Sequence, residues 1–189
     1  MKGKKYPHTP YAPWCEYKNI DLSDGNRRLS YEELDGECCG IEKTRAHARS
    51  LDGKPAGSKV KSVIARVQNE LPDAFKLWAE NLEVPHLIPH DQDLVVFNIF
   101  DGDKALQFDE FLEWATLLGL PTPEVMYRGL FDVAVLQKLS ASIDADKQEG
   151  FVVRKADSFR FCDFSRSVFK YVTPEFKQRL EGAEHWLWG

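Results

Sequence analysis

Two short segments of this chain place carboxylates beside glycine: Glu33-Leu34-Asp35-Gly36-Glu37, and far downstream Glu149-Gly150-Phe151-Val152-Val153-Arg154. Carboxylates so placed can hold a divalent cation. Cations such as Arg49 and Lys170 can offset the charge of phosphate groups. Taken singly, each has a plainer reading. Asp-Gly is a turn dipeptide, and Glu-Gly ahead of an apolar run is a turn entering a strand. Arg49 or Lys170 alone is an ordinary surface cation. His47 alone is a strand residue, since no metal-ligand set accompanies it in sequence.

Order along the chain gives these segments more weight than each has alone. Tyr31 to Glu37 resembles the Lys-x-Asp-Gly nucleophile motif of ATP-dependent RNA ligases, and His47-Ala48-Arg49-Ser50 resembles the strand that follows it. Ala79-Glu80-Asn81-Leu82 is similar to a Gly-Glu-Asn-Leu motif, and Glu149 to Arg154 looks like Glu-Gly-x-Val-x-Arg. Ser167-Val168-Phe169-Lys170-Tyr171-Val172 resembles the motif that brings lysine to the α-phosphate, with Arg166 nearby. The resemblance to this lysine-nucleophile nucleotidyltransferase family covers most of the chain. It implies an α+β fold, antiparallel sheets flanked by helices, with the motifs lining one cleft. It also implies ATP or a related nucleotide, Mg2+, and RNA as a partner. Carried over residue by residue, it assigns Glu33 (at the lysine position), Asp35 and Lys170 to the chemistry. Gly36, Glu37, Arg49, Glu80, Glu149 and Arg154 go to the nucleotide, and Glu149 and Asp35 to the metal.

Glu33 is the departure. The family's chemistry needs a neutral lysine amine to attack the α-phosphorus, and a carboxylate cannot form that phosphoramide. A carboxylate also brings negative charge toward the phosphates. Two like charges about 4 Å apart repel by roughly 4 kcal/mol at an effective dielectric of about 20. Three accounts stay open: a substitution that traps an early step, a natural pseudo-ligase, or a shifted register, for which Asp35-Gly36-Glu37 leaves little room. Cys38-Cys39, and Ala79 where the motif has glycine, favour divergence. The competing functions are an RNA-joining enzyme lacking its nucleophile, a non-catalytic module holding nucleotide or RNA, and an interaction protein using its terminal tryptophans Trp14, Trp186 and Trp188.

Elements to position these residues can be read from periodicity. Residues 1–30, with Tyr6, Pro7, Pro10, Tyr11, Pro13 and Trp14, read as an irregular arm. Short strands are expected over Glu37–Ile41 and Thr44–Arg49, then a Gly/Pro loop over 53–57. Val60, Val63, Ile64, Val67 and Leu71 predict a helix over 58–71 with Ser58 as its cap. Strands follow over 75–83 and 94–100. The next helix carries Phe108, Phe111 and Leu112 and stops at Gly119, and a third spans 131–142. Phe151–Lys155 is expected to pair with Phe159–Asp163 across Ala156-Asp157-Ser158. Another strand covers 169–172, and Thr173-Pro174-Glu175 is a helix start.

Composition bounds the rest. With 189 residues and 43% hydrophobic content, the chain is expected to form one domain over its whole length. No apolar run reaches the roughly 18 residues of a membrane span, and the start lacks a signal segment. Cys15, Cys38, Cys39 and Cys162 are therefore expected to be reduced cytoplasmic thiols. The short length resembles a catalytic domain without an appended RNA-holding domain. Residues 1–70 carry 13 Lys and Arg against 10 acidic residues, 71–148 carry 5 against 14, and 149–179 carry 7 against 4. A polyanionic partner would then meet the two basic outer segments. Oligomeric state has no signature in the sequence.

Overall fold

The computed structural model describes residues 4–12, 22 and 25–187, of which 183–187 as backbone only. The elements in chain order are β1 (Arg27–Glu32), β2 (Glu37–Glu42), β3 (Arg45–Ala48), α1 (Ser58–Glu70), β4 (Phe75–Asn81) and β5 (Leu94–Asp101). Then come β6 (Lys104–Ala105), α2 (Phe108–Leu117), β7 (Val125–Leu130), α3 (Val133–Ser142), β8 (Gly150–Lys155) and β9 (Phe159–Arg160). A 3-10 turn leads into the short α4 (Phe164–Ser167), followed by β10 (Val168–Val172) and α5 (Pro174–Leu187). The strands form two sheets, ordered β10-β8-β1-β7 and β3-β2-β4-β5-β6-β9. Their ladders are antiparallel, so the α+β expectation holds.

Two expectations are corrected. The arm assigned to 1–30 contains part of β1, an inner strand paired with both β7 and β8. Its alternation was hidden because Arg28 and Ser30, polar residues, are as buried as Leu29 and Tyr31. The hairpin between 151–155 and 159–163 does not form. β8 pairs with β1 and β10, while β9 pairs with β6 in the other sheet. Ala156 to Ser158 thus carries the chain from one sheet to the other instead of turning it back.

Helix ends follow local chemistry. Helix α1 buries Val60, Ile64 and Val67, but Ser58 is not its cap. Gly57 holds that place, and the Glu83 carboxylate accepts from the Ser58 and Val60 amides, each at 3.0 Å. Acidic oxygen on exposed helix N–H groups is favourable twice, by hydrogen bond and by dipole. Those bonds hold the Glu83 carboxyl below its ordinary range. Asp132 caps α3 through Val135 N–H at 2.8 Å, and Thr173 Oγ1 caps α5 by accepting from Phe176 N–H.

The main core draws from both sheets: Leu29 and Tyr31, Ile41, Leu77 and Trp78, Val96, with the apolar stripe of α1 and Phe108 and Phe111 of α2. Side chains alternate along β8. Phe151 and Val153 face a second core with Phe169 and Leu136 of α3, whereas Val152 belongs to the main core. Arg154 is fully buried and ties the sheets together. From β8 it donates to Asn98 Oδ1 on β5 (3.1 Å) and to the Leu106 carbonyl (2.6 Å). The rings of Phe108 and Phe159 lie 5.7 and 5.3 Å from its guanidinium.

Residues 4–12 pack on this frame. Tyr6 contacts the rings of Trp78, Phe97 and Phe164 at 5.1, 5.2 and 4.9 Å. Lys170 N–H donates to the Pro10 carbonyl and Ala12 N–H to the Lys170 carbonyl, at 2.8 and 2.7 Å, so the arm lies along β10. Cys15, Trp14 and Trp188 fall outside the described residues, as does the side chain of Trp186. Among the described residues no helix is long and apolar enough to cross a membrane, and Cys38, Cys39 and Cys162 are free thiols. Replacing Arg154 with alanine leaves a cavity and two unpaired buried acceptors. A loss of about 3–5 kcal/mol in urea unfolding is expected; a loss below about 1 kcal/mol would show that the tie is not structural.

Candidate functional site

The segment Glu33 to Gly36 links β1 of one sheet to β2 of the other. It can do so because Gly36 passes close to the end of β4, where a Cβ would lie 2.5 Å from the Asn81 carbonyl. Gly150 plays the same part at the start of β8, where a Cβ would collide with the backbone of Tyr171 on β10. Glu33 N–H donates to the Gly150 carbonyl at 3.1 Å, fastening one motif to the other. These close approaches bring both carboxylate–glycine segments to one cleft.

The cleft has a volume of about 340 Å³. Glu33, Asp35, Gly36, Arg49, Glu80, Glu149 and Lys170 line it together. They come from five places in the fold: the β1–β2 crossing (Glu33, Asp35 and Gly36), the end of β3, β4, the entry to β8, and β10. Glu37 and Arg154, expected at the nucleotide, are not among the lining residues. Glu37 Oε2 accepts from Ala56 N–H and Asn81 Nδ2, at 3.0 and 2.9 Å, and so anchors the 53–57 loop. Arg154 lies behind the wall as the tie between the sheets. Lys43 pairs with Asp73 on the surface, away from the cleft. His47 is a buried strand residue whose Nδ1–H reaches the Ala48 carbonyl at 2.6 Å.

Several lining residues escaped the sequence reading. Tyr31, Phe97 and Val152 supply apolar wall, and Tyr6, His8 and Tyr11 of the arm close one side. Period-two alternation could have found Phe97, which is half-buried between the buried Val96 and Asn98. The arm carried only its aromatic residues as a signal.

Lys170 Nζ sits 2.5 Å from Glu33 Oε1, with the two side chains 22% and 15% exposed. Burial pushes the Lys170 ammonium down, but Glu33 and Glu149 more than reverse it, so its pKa ends above the ordinary value. Its positive charge is therefore fixed. The remaining carboxylates are under opposite stress. Burial, then repulsion from Glu33, drives the Glu80 carboxyl well up, partly relieved by Lys170. Burial and Glu33 push Glu149 up to about 8. Cys38, which also lines the cleft, is held as a thiol by burial and by Glu80.

Among the described residues, no group of three or more His, Cys, Asp or Glu has the spacing of a metal site. The arrangement can thus offer hydrogen-bond acceptors, one paired lysine, one arginine and an apolar wall to a small polar ligand.

Comparison with known proteins agrees with this geometry. No curated protein matches the chain in sequence. Among solved structures it is similar to an RNA ligase mutant of Naegleria gruberi with ATP and Mn, with a TM-score of 0.68 at 13% identity, covering 96% of this chain and 59% of that one. An archaeal ATP-dependent RNA ligase gives 0.68 at 14% identity, covering 95% and 51%. A second Naegleria gruberi mutant with ATP and Mn gives 0.61 at 13% identity, covering 93% and 61%. The chain spans about half to three-fifths of the length of these ligases, and at such identities the likeness is one of fold. The sequence profile of the RNA ligase family adds what fold alone does not, matching residues 11–172, most of the chain. The chain belongs to the RNA ligase family.

Proposed function

We propose that this chain is a ligase-fold nucleotide-binding domain that does not adenylylate itself. The observation that carries this reading is the Glu33 carboxylate seated on Lys170 at 2.5 Å. Glu33 stands where the family resemblance puts the attacking lysine, and a carboxylate there has no amine with which to form a phosphoramide with AMP. Held against Lys170, it also occupies the cation that an α-phosphate would need.

The other lining residues suit a nucleoside framework. Tyr31, Phe97 and Val152 offer apolar contact to a base, Glu80 can accept from ribose hydroxyls, and Arg49 can reach toward phosphate. Magnesium commonly takes one or two protein carboxylates and completes its shell with water and substrate phosphates. Asp35 and Glu149 fit that role, since Glu149 is buried with its carboxyl pushed up to about 8 and gains from a nearby cation. When bound with nucleotide, the ion would neutralise phosphate charge. RNA is the proposed macromolecular partner, met by the basic segments 1–70 and 149–179. Its binding should weaken by tenfold or more between about 50 and 200 mM salt, following counterion release; affinity indifferent to salt would count against RNA.

Labelled ATP and a divalent cation test the central claim. The chain as written should show no covalent AMP, and Glu33→Lys should acquire it. Labelling of the unaltered chain would overturn this account of Glu33.

The raised Glu149 carboxyl also predicts a pH dependence. Its contribution to stability is full below the ordinary carboxylate range near 4.5 and is lost as pH rises through about 8. In metal-free buffer, stability should fall more between about pH 5 and 9 than for Glu149→Gln, by on the order of 1–3 kcal/mol. Parallel unfolding profiles for the two proteins would remove Glu149 as the cause.

A further inference from the structure

We infer that residues 4–12 form a strap over one side of the cleft, latched at Lys76 and released when His47 takes up a proton. Polar contacts fix the strap at both ends. At one end Lys76 Nζ, on β4, donates to the Lys4 carbonyl at 3.1 Å. At the other, Lys170 N–H donates to the Pro10 carbonyl and Ala12 N–H to the Lys170 carbonyl. Between these ends Tyr6, Pro7, His8 and Thr9 line the cleft. Lifting the strap therefore opens that side, whatever ligand the cleft takes.

The latch is a buried cluster outside the cleft. Glu42 of β2, His47 of β3 and Lys76 of β4 are all buried. Lys76 Nζ lies 2.9 Å from Glu42 Oε1 and 4.4 Å from the centre of the Trp78 ring. His47 Nε2 stands 4.0 Å from the same Glu42 oxygen and, among the described residues, has no hydrogen-bond partner. Gly40 permits this approach, since a Cβ there would lie 2.6 Å from His47 Nε2. The other ring nitrogen, Nδ1, is taken by the Ala48 carbonyl at 2.6 Å. With Nδ1 donating, Nε2 is the position at which a further proton arrives.

One carboxylate then has two cations to serve. The charged groups acting on the ring are Lys76, Arg45 of its own strand, and Glu42. Lys43, in the turn before β3, is already paired with Asp73. Helix α1 adds the neutral Gln68, whose amide donates to the Glu42 carbonyl at 2.7 Å. At 4.0 Å the imidazolium lacks a hydrogen bond, and drawing Glu42 closer takes it from Lys76. A buried ammonium without its counter-ion is costly, and water replacing the Lys4 carbonyl relieves it. Burial, with Lys76 and Arg45, holds the ring below its ordinary range. A histidine so depressed favours the closed strap above about pH 6.5, and that contribution is lost as pH falls through the lower closed-state value. Tyr6, seated among three rings, keeps the open strap a minor population.

Amide hydrogen exchange reads such minor openings. It is measured on the unaltered chain at about pH 8 and pH 5, corrected for the intrinsic rate at each pH. Protection of the Ala12 and Lys170 amides should fall about fivefold or more at the lower pH, while α2 and β5 keep theirs. His47→Gln should abolish the pH dependence. Equal protection at both pH values would overturn the inference, as would an equal fall in His47→Gln or a fall shared by α2 and β5. Nuclear magnetic resonance titration of the His47 ring in the unaltered chain decides the matter if the variant fails to fold. A ring titrating below its ordinary value near 6.5 is expected, and one at or above it would remove the coupling.

Discussion

The cleft depends on the buried guanidinium of Arg154. Each of the two sheets contributes only part of the lining, and Arg154 is the side chain that reaches from one to the other with hydrogen bonds at both Asn98 and Leu106. Burial pushes its pKa down, yet the aromatic faces of Phe108 and Phe159 and two neutral oxygens compensate a charge that could not otherwise stand in the core. Because Val152 lies two residues earlier on the same face of β8, one strand supplies cleft wall and inter-sheet tie together. A shift of β8 would move both.

On that frame the electrostatics of the cleft follow from one pair. Lys170 lies on β10, a strand held between the arm and β8. Its position is therefore set by main chain, through the arm that takes both its N–H and its carbonyl and through the pairing of β10 with β8, and Glu33 comes to it from the crossing between sheets. The pair relieves two charges at once but leaves Asp35, Glu80 and Glu149 with little cation between them. Buried carboxylates in that condition take up protons, cations or hydrogen-bond donors. The loss of stability expected as pH rises is one consequence of that imbalance.

Much of this was legible in the sequence, for identifiable reasons. Helices α1 and α2 were readable because their buried residues repeat at helical spacing, while α3 buries Leu136 and half-buries Leu139 of its apolar set and leaves Val133 exposed. Strands β4 and β5 were readable because their apolar runs are short and bounded by turn residues. Strand β1 was not, since Arg28 and Ser30 are buried polar residues and disguise an inner strand. Pairing of β8 with β9 looked natural because the two are neighbours in sequence, yet β8 finds β1 and β10 instead. No local pattern carries that long-range choice. Arg154 illustrates the limit best. Its place in a motif suggested a ligand, and only the packing of the two sheets reveals what its donors meet.

The residues that match the family's motifs are therefore of two physical kinds. Gly36 and Gly150 are required wherever the chain must pass close to the Asn81 carbonyl and to the backbone of Tyr171. Arg154 joins the two sheets of this chain. In this chain those three are accounted for by the packing of the fold. Chemistry makes its demand elsewhere, at the position where the proposed reading expects an amine and Glu33 offers a carboxylate. On the proposed reading, a motif persists for reasons of backbone approach after its reactive group has changed. In this chain the backbone approaches are intact and Lys170 is bound to a carboxylate, so the motifs speak for the architecture, while the proposed function rests on the ion pair.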